Sequence, residues 1–385
     1  MQGSIAALAT VLLAIPLMFP PIATKSDKDA SIARLVAREL TAILPPDRPG
    51  GAAVAIHLDG RTLFFNQGFA DAANQRAVTS DSLFNLASIR KLFETTLLAQ
   101  AAGNGTVSLA DPVAKYVTEL QQGGDIRRVT LGELATHTSG LLLRPDYPPW
   151  PVPPFTLETF FEALNAWTAD DQHALGKQHI YTHGGFVLLH LALDRALGTD
   201  LDALIRQNLL APLGMKSTVF PQPNQSPNGQ LAAEYKARAV QGYAEDGKPV
   251  GEPGDQQGYY DWPGTGQVYA SARDMAQFLT ASLGELPLER SLSEAMTLAQ
   301  RAAFRITPRN SQGLGWEIVH EGALDIVEKN GGLDNTSTYI GMIPARKLGI
   351  VILSNRGDQY PSEAGRCIML ALAHYRSEWH YQCAE

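Results

Sequence analysis

Ser88-Ile-Arg-Lys91 sets a hydroxyl and an amine three residues apart. A serine hydroxyl is a weak nucleophile at neutral pH and needs a nearby base. Residues three apart on a helix share one face, so the Lys91 amine can reach the Ser88 hydroxyl. The apolar run Leu92-Phe-Glu-Thr-Thr-Leu-Leu-Ala-Gln-Ala-Ala102 reads as that helix, ending at Gly103-Asn-Gly105. Ser88 at its start gains free backbone N–H groups and the positive end of the helix dipole. Those features suit a covalent acyl-enzyme that passes through an oxyanion. The same residues also read as an N-cap serine and a solvated lysine, so the rest of the chain must decide.

The elements that would position this pair come from both ends of the chain. Ser31 to Leu44 has helical periodicity and stops at Pro45-Pro46. Ala52–Leu58 and Arg61–Phe65 flank Asp59-Gly60, a strong hairpin signal. Near the other end, Tyr339–Ile343 and Leu348–Leu353 read as strands joined by Pro344-Ala-Arg-Lys347, with a helix over Ser362 to His374 packed back on them. Between them, helical stretches at Leu131–Thr136, Leu157–Trp167, Gly185–Ala196 and Leu201–Leu210 alternate with loops rich in Pro and Gly. Arg144 to Pro154 is too proline-dense for a helix or central strand, and Pro221 to Gly229 reads as a surface loop. Strands at both ends with helices between predict a sheet built from both termini and a helical insertion.

The 385 residues suffice for one large domain or two interleaved subdomains. A net charge of −8 disfavours nucleic-acid binding. The first 23 residues carry no charged side chain, and Thr24-Lys-Ser-Asp-Lys-Asp29 then turns polar. This reads as a secretory signal cleaved after Ala23, with a retained anchor as the alternative. Cys367 and Cys383 are the two cysteines; they either close a short loop in an oxidising compartment or remain thiols.

Three more segments bear on the chemistry: Tyr181-Thr-His183, Gln312-Gly-Leu-Gly-Trp-Glu317, and Lys329-Asn-Gly331 before a strand-like run. With Ser88 and Lys91 they resemble the penicillin-recognising serine hydrolases, most closely the class C β-lactamases and their esterase and peptidase relatives. The resemblance covers about Ala52 to Tyr375 and includes Leu134-Ala-Thr-His-Thr-Ser-Gly140 and Pro212-Leu-Gly-Met-Lys-Ser217, which look like landmarks rather than catalytic parts. It implies a mixed α/β (α+β) fold of the β-lactamase/transpeptidase type. Residues 24–105 and 265–385 would form an antiparallel sheet subdomain flanked by helices, and 106–264 a mainly helical one, after a signal peptide at 1–23.

By that resemblance Ser88 attacks the carbonyl and Lys91 holds or relays the proton. Tyr181, next to two ammonium groups, acts as base and then as acid to the leaving nitrogen. Lys329 supplies positive field to Tyr181 and to a substrate carboxylate. Gly331 leaves room for substrate, and the N–H groups of Ser88 and Gly332 form the oxyanion hole. Trp316 and Glu317 resemble core positions without chemistry.

Some positions depart from the family. His183 stands where Asn is usual; imidazole has a different reach and gains a charge near about pH 6.5. Asn330 replaces the hydroxyl residue of the Lys-Thr-Gly element, and Arg144 falls at a further position that contacts the substrate amide. His183, with His179 four residues earlier and His137 elsewhere, opens the option of a bound Zn²⁺, although the chemistry requires no cofactor. Arg346, Asn355 and Arg356, around the last hairpin, could meet a substrate carboxylate but read as solvated charge.

The expected function is that of a periplasmic or secreted, monomeric serine β-lactamase acting on a small-molecule β-lactam, with preference shifted toward substrates such as carbapenems. It would bind no nucleic acid and keep no stable membrane insertion after signal cleavage. The alternatives are a carboxylesterase or D-amino-acid peptidase on the same scaffold, or a non-turnover β-lactam-binding sensor.

Overall fold

A computed structural model describes residues 25–143, 156–221, 231–254, 264, 268–357 and 359–384. The signal-like segment 1–23, Arg144 and most of both proline-rich loops lie outside these residues.

The main sheet has nine strands among the described residues, all antiparallel, in the order β3-β2-β1-β13-β12-β11-β10-β9-β8. The N-terminal part supplies β1 (Gly51–Leu58), β2 (Arg61–Asp71) and β3 (Arg76–Ala77). The C-terminal part supplies β8 (Phe304–Arg305), β9 (Asn310–Gln312), β10 (Glu317–Glu321), β11 (Leu324–Leu333), β12 (Thr336–Ile343) and β13 (Leu348–Ser354). The two halves meet where β1 pairs with β13. Two short ladders stand apart: β4 (Phe84–Asn85) with β7 (Tyr269–Ala270), and β5 (Gly242–Tyr243) with β6 (Pro249–Val250). The β1–β2 turn has Asp59 and Gly60 at φ 53° and 70°, as a two-residue hairpin of right-handed twist requires.

The central strands read as continuous apolar runs because both faces of the sheet are covered. Ala52, Val54, Ile56, Ile350 and Ile352 pack on α1 (Lys25–Leu40) and α10 (Pro361–Leu372). Ala53, Ala55, Val351 and Leu353 join the larger core, with α2 (Lys91–Gly103), α8 (Ala272–Ser282) and α9 (Arg290–Ala299). Between the sheet halves lie α3 (Leu131–Ala135), α4 (Leu157–Ala166), α5 (His183–Leu197), α6 (Leu201–Ile205) and α7 (Ala233–Lys236).

Some boundaries differ from the sequence reading. α1 ends at Leu40 rather than Leu44; the chain continues in turns, with the Ile43 and Leu44 N–H groups both donating to Leu40 O, up to the prolines. Lys329-Asn-Gly331 lies inside β11 rather than ahead of a strand. Cys367 and Cys383 form a disulfide across 16 residues. No helix among the described residues is long and apolar enough to cross a membrane.

Candidate active site

Ser88 sits in a 3₁₀ turn, Ala87–Arg90, that runs directly into α2. Ala87 has φ 48°, a left-handed conformation that a side chain rarely takes. The Asn85 carboxamide oxygen accepts the Ala87 N–H at 2.9 Å and helps hold that turn. Such strain is tolerated where surrounding structure over-determines it, and it clusters at functional sites.

Lys91 Nζ donates to Ser88 Oγ at 3.2 Å. Tyr181 lies just ahead of α5, and its hydroxyl donates to Ser88 Oγ at 2.8 Å. Thr182 caps α5 by accepting the Gly185 N–H at 3.0 Å. His183 is therefore the first residue of the helix, which starts two residues before the expected Gly185. The Lys91 and Lys329 ammoniums lie 5.4 Å and 4.9 Å from the Tyr181 ring centroid. Burial pushes the Tyr181 phenol up, but these two ammoniums outweigh it and hold the phenol below its usual value.

Lys329 projects from β11, fully buried, and Nζ donates to Glu317 Oε1 at 2.8 Å. Burial opposes its charge, and the Glu317 carboxylate more than restores it, so the amine sits above its usual value. Lys329 in turn holds Glu317 below the ordinary carboxylate range. This corrects the view of Glu317 as a core position without chemistry. The register hides this pair: Glu317 stands opposite Glu328, whose side chain leaves the other face of β11 from Lys329. Trp316 is a core residue as read, stacked on Phe278.

β10 pairs with β11 only from Glu317↔Glu328 to Glu321↔Leu324. The outer edge of 329–333 therefore has no strand partner among the described residues, and Asn330 and Gly332 are exposed on it. A Cβ on Gly331 would lie 2.4 Å from Leu86 O and 3.0 Å from Ser88 N, whereas one on Gly332 would meet open space. β11 thus runs against the Ser88 turn at Gly331, and an open strand edge begins beside Ser88.

His183 and His179 differ from expectation, while His137 keeps a structural role. Burial, then the Lys91 and Lys329 charges, push His183 down to about 3; it is neutral at neutral pH and gains no charge near its ordinary value. His179 Nε2 lies 3.1 Å from Gln312 Oε1 and donates to it, because that oxygen only accepts. Burial also lowers the His179 pKa. His137 is fully buried; its Nδ1 accepts the Thr182 N–H at 3.3 Å, and its ring lies 4.3 Å from that of Tyr181. No group of three His, Cys, Asp or Glu among the described residues could hold a metal ion. The zinc option therefore lacks a ligand set there.

Asn355 and Arg356 are buried rather than solvated. Asn355 accepts the Gly51 N–H at 2.7 Å and donates to Gln241 O at 2.8 Å, so it ties three chain segments together. Arg346 is exposed in the turn before β13.

The family model described as Beta-lactamase matches residues 40–373. A beta-lactamase of Lysobacter lactamgenus is 28% identical, the alignment covering 88% of this chain and 89% of that protein. One from Escherichia coli (strain K12) is 29% identical, covering 86% and 90%. Among solved structures, a class C beta-lactamase superposes with a TM-score of 0.77 at 23% identity, covering 91% of this chain and 98% of that one. A D-alanine carboxypeptidase AmpC from Burkholderia cenocepacia gives 0.75 at 26% identity, covering 90% and 100%.

Proposed function

This chain belongs to the beta-lactamase family and is a serine hydrolase, and from that premise we propose that it opens β-lactam amides through an acyl-enzyme on Ser88. The observation that carries the reading is the position of Ser88 Oγ, 2.8 Å from Tyr181 Oη and 3.2 Å from Lys91 Nζ. With the phenol ionised, the short contact runs the other way: Tyr181 Oη accepts the Ser88 proton as Oγ attacks the lactam carbonyl. Lys91 and Lys329 stabilise that phenolate. The carbonyl oxygen is received by the N–H groups of Ser88 and Gly332. Tyr181 then passes its proton to the leaving nitrogen. Water activated beside Tyr181 releases the acyl group. No cofactor takes part.

Substrate lies along the open edge of β11 at Asn330 and Gly332, with His183 at the site of the amide contact. Neutral His183 there, in place of the amide usual in the family, favours carbapenems, whose small hydroxyethyl group asks for fewer amide contacts. His183→Asn is expected to lower the ratio of carbapenem to cephalosporin kcat/KM; an unchanged ratio sinks this assignment. The protein works after export, as a monomer freed of residues 1–23, with 106–264 as a helical subdomain inserted between the two parts of the sheet subdomain.

The second reading, a D-alanyl peptidase, draws on the structural likeness to the D-alanine carboxypeptidase. One assay separates the two. Purified mature protein is given a penicillin, a cephalosporin, a carbapenem, a D-alanyl-D-alanine peptide and a p-nitrophenyl ester, with Ser88→Ala as control. Lactam turnover lost in Ser88→Ala supports the first reading. Peptide or ester turnover without lactam turnover replaces it.

A further inference from the structure

Behind the Ser88 turn, away from the substrate edge, lies a second cluster of charged groups. Arg90 precedes Lys91, and Glu94 follows it by one helical turn. Arg90 Nε donates to Glu94 Oε1 at 3.0 Å, and Arg90 Nη2 donates to Asp202 Oδ1 on α6 at 2.6 Å. His190 on α5 brings Nδ1 to 3.1 Å from the same Glu94 oxygen and Nε2 to 3.7 Å from Asp194 Oδ2. Glu94 is 0% exposed, Arg90 1% and His190 6%. Asp194 also accepts the Leu201 N–H at 2.7 Å, tying α5 to the start of α6.

The proposed reaction uses none of these residues. Burying charge is costly, and such groups persist only in an arrangement that pairs them. Apolar packing between two helices tolerates small slips, because hydrophobic side chains of similar volume repack. Directional bonds among buried charges do not. The cluster joins the two elements that must meet for chemistry: α2, whose leading turn carries Ser88 and Lys91, and α5, which Tyr181 and the cap Thr182 enter. The 2.8 Å contact between Tyr181 and Ser88 spans the same joint as the Glu94–His190 bond.

We propose that Arg90, Glu94 and His190 form a positioning lock, in which the buried Glu94–His190 pair between α2 and α5, braced by Arg90 between Glu94 and Asp202 on α6, holds the Ser88–Lys91 turn in register with Tyr181. The inference rests on the reading of Ser88 as nucleophile and Tyr181 as its base. None of the three touches substrate; each acts through the helix it fixes.

The lock has a pH dependence. The charged groups facing His190 are Glu94 from α2, Arg90 from the turn before it and Asp194 from its own helix, with Asp202 from α6 closing on Arg90. Burial opposes the imidazolium; Glu94 outweighs it, Arg90 opposes and Asp194 assists, and the net effect raises His190 above its usual value. A value raised in the folded state means that the charged lock is complete below the ordinary imidazole range. It is lost as pH rises through the folded-state value. Acylation therefore carries an alkaline loss that belongs to His190.

The test measures acylation rate and KM against pH on the mature protein, with a chromogenic cephalosporin and a p-nitrophenyl ester. His190→Gln keeps a hydrogen-bonding side chain but does not titrate. It is expected to slow acylation by at least about tenfold below neutral pH, since small misplacements of reacting groups cost that much or more. KM stays near wild type, and the alkaline loss disappears. The triple variant Arg90→Met/Glu94→Leu/His190→Phe removes all three charges together and leaves only the part-exposed Asp194 and Asp202 to solvent, so it carries the same comparison if the single variant unfolds; it too is expected to be slow. Wild-type acylation with the wild-type pH profile in either variant, while Ser88→Ala is inactive, overturns the lock alone. Turnover retained by Ser88→Ala overturns the reading of the site and the lock with it.

Discussion

Glu328 and Lys329 are consecutive in β11, and they serve two regions of opposite electrical character. On one side, Lys329 joins Lys91 around Tyr181. On the other, Glu328 accepts the Tyr339 hydroxyl at 2.8 Å and the Arg366 Nε–H at 2.8 Å. Burial raises both phenols, yet Tyr181 ends below its usual value and Tyr339 well above it. Near Tyr181 two ammoniums overcome burial; at Tyr339 the Glu328 carboxylate adds to it. The identity of the residue and its burial do not decide whether a tyrosine can serve as a base. The sign of the neighbouring charge does.

The comparison breaks first at the two hydroxyls. Tyr181→Phe keeps the ring against His137 but removes the proton carrier. Its kcat is expected to fall by about 10²- to 10⁴-fold, the range for a lost general base. Tyr339→Phe, on the other side, is expected to leave kcat close to wild type. Equal losses in the two variants would falsify the division. Next in size is Glu328→Gln, which leaves the Arg366 guanidinium without its carboxylate. Arg366 keeps some solvent contact, so the cost is expected to be about 2 kcal/mol rather than the larger value for a fully buried pair. Urea unfolding should read that loss while kcat stays near wild type.

The two regions were unequally legible in the sequence. Ser88 and Lys91 could be paired because three residues on a helix is a local distance. Tyr181 and Lys329 could be joined to them only by resemblance, since 93 residues separate Ser88 from Tyr181 and nothing local brings them together. The β1–β2 hairpin was readable because Asp59-Gly60 is itself the turn chemistry. Glu317 was missed because its partner Lys329 comes from the neighbouring strand, and register alone sets Glu317 opposite Glu328 instead. Asn355 and Arg356 were misread because polar residues are exposed by default, and only the approach of the segments around Gly51 and Gln241 buries Asn355. The Arg90–Glu94–His190 cluster was equally hidden: Arg90 and Glu94 have helical spacing, but their partner comes from another helix.

Moving charge rather than hydroxyls sharpens the comparison. A base works when deprotonated, so kcat/KM falls as pH drops through the Tyr181 value. Lys329→Gln removes a positive neighbour, raises the phenol, and moves that acid limb to higher pH. Glu317→Gln removes the anion that tempers Lys329, lowers the phenol further, and moves the limb to lower pH. The pH dependence of kcat/KM for the two variants should therefore bracket that of wild type. Shifts in the same direction would mean that the limb belongs to another group.

The smallest expected effect is the most exacting. His183 stands beside the same two ammoniums as Tyr181, and its value is pushed down to about 3. Positive field helps an acid that ionises to an anion and penalises a base that ionises to a cation. Burial first, and then the same pair of lysines that lowers the phenol, keep the histidine neutral. Across about pH 5 to 8, where an ordinary histidine titrates, His183→Asn should leave the shape of the kcat/KM profile unchanged even where its height differs. An inflection present in wild type and absent from His183→Asn would place a charged imidazolium in the site. Two ammoniums a few ångströms away could not then be holding Tyr181 low, because the field that depresses the phenol adds to the burial that forbids the imidazolium.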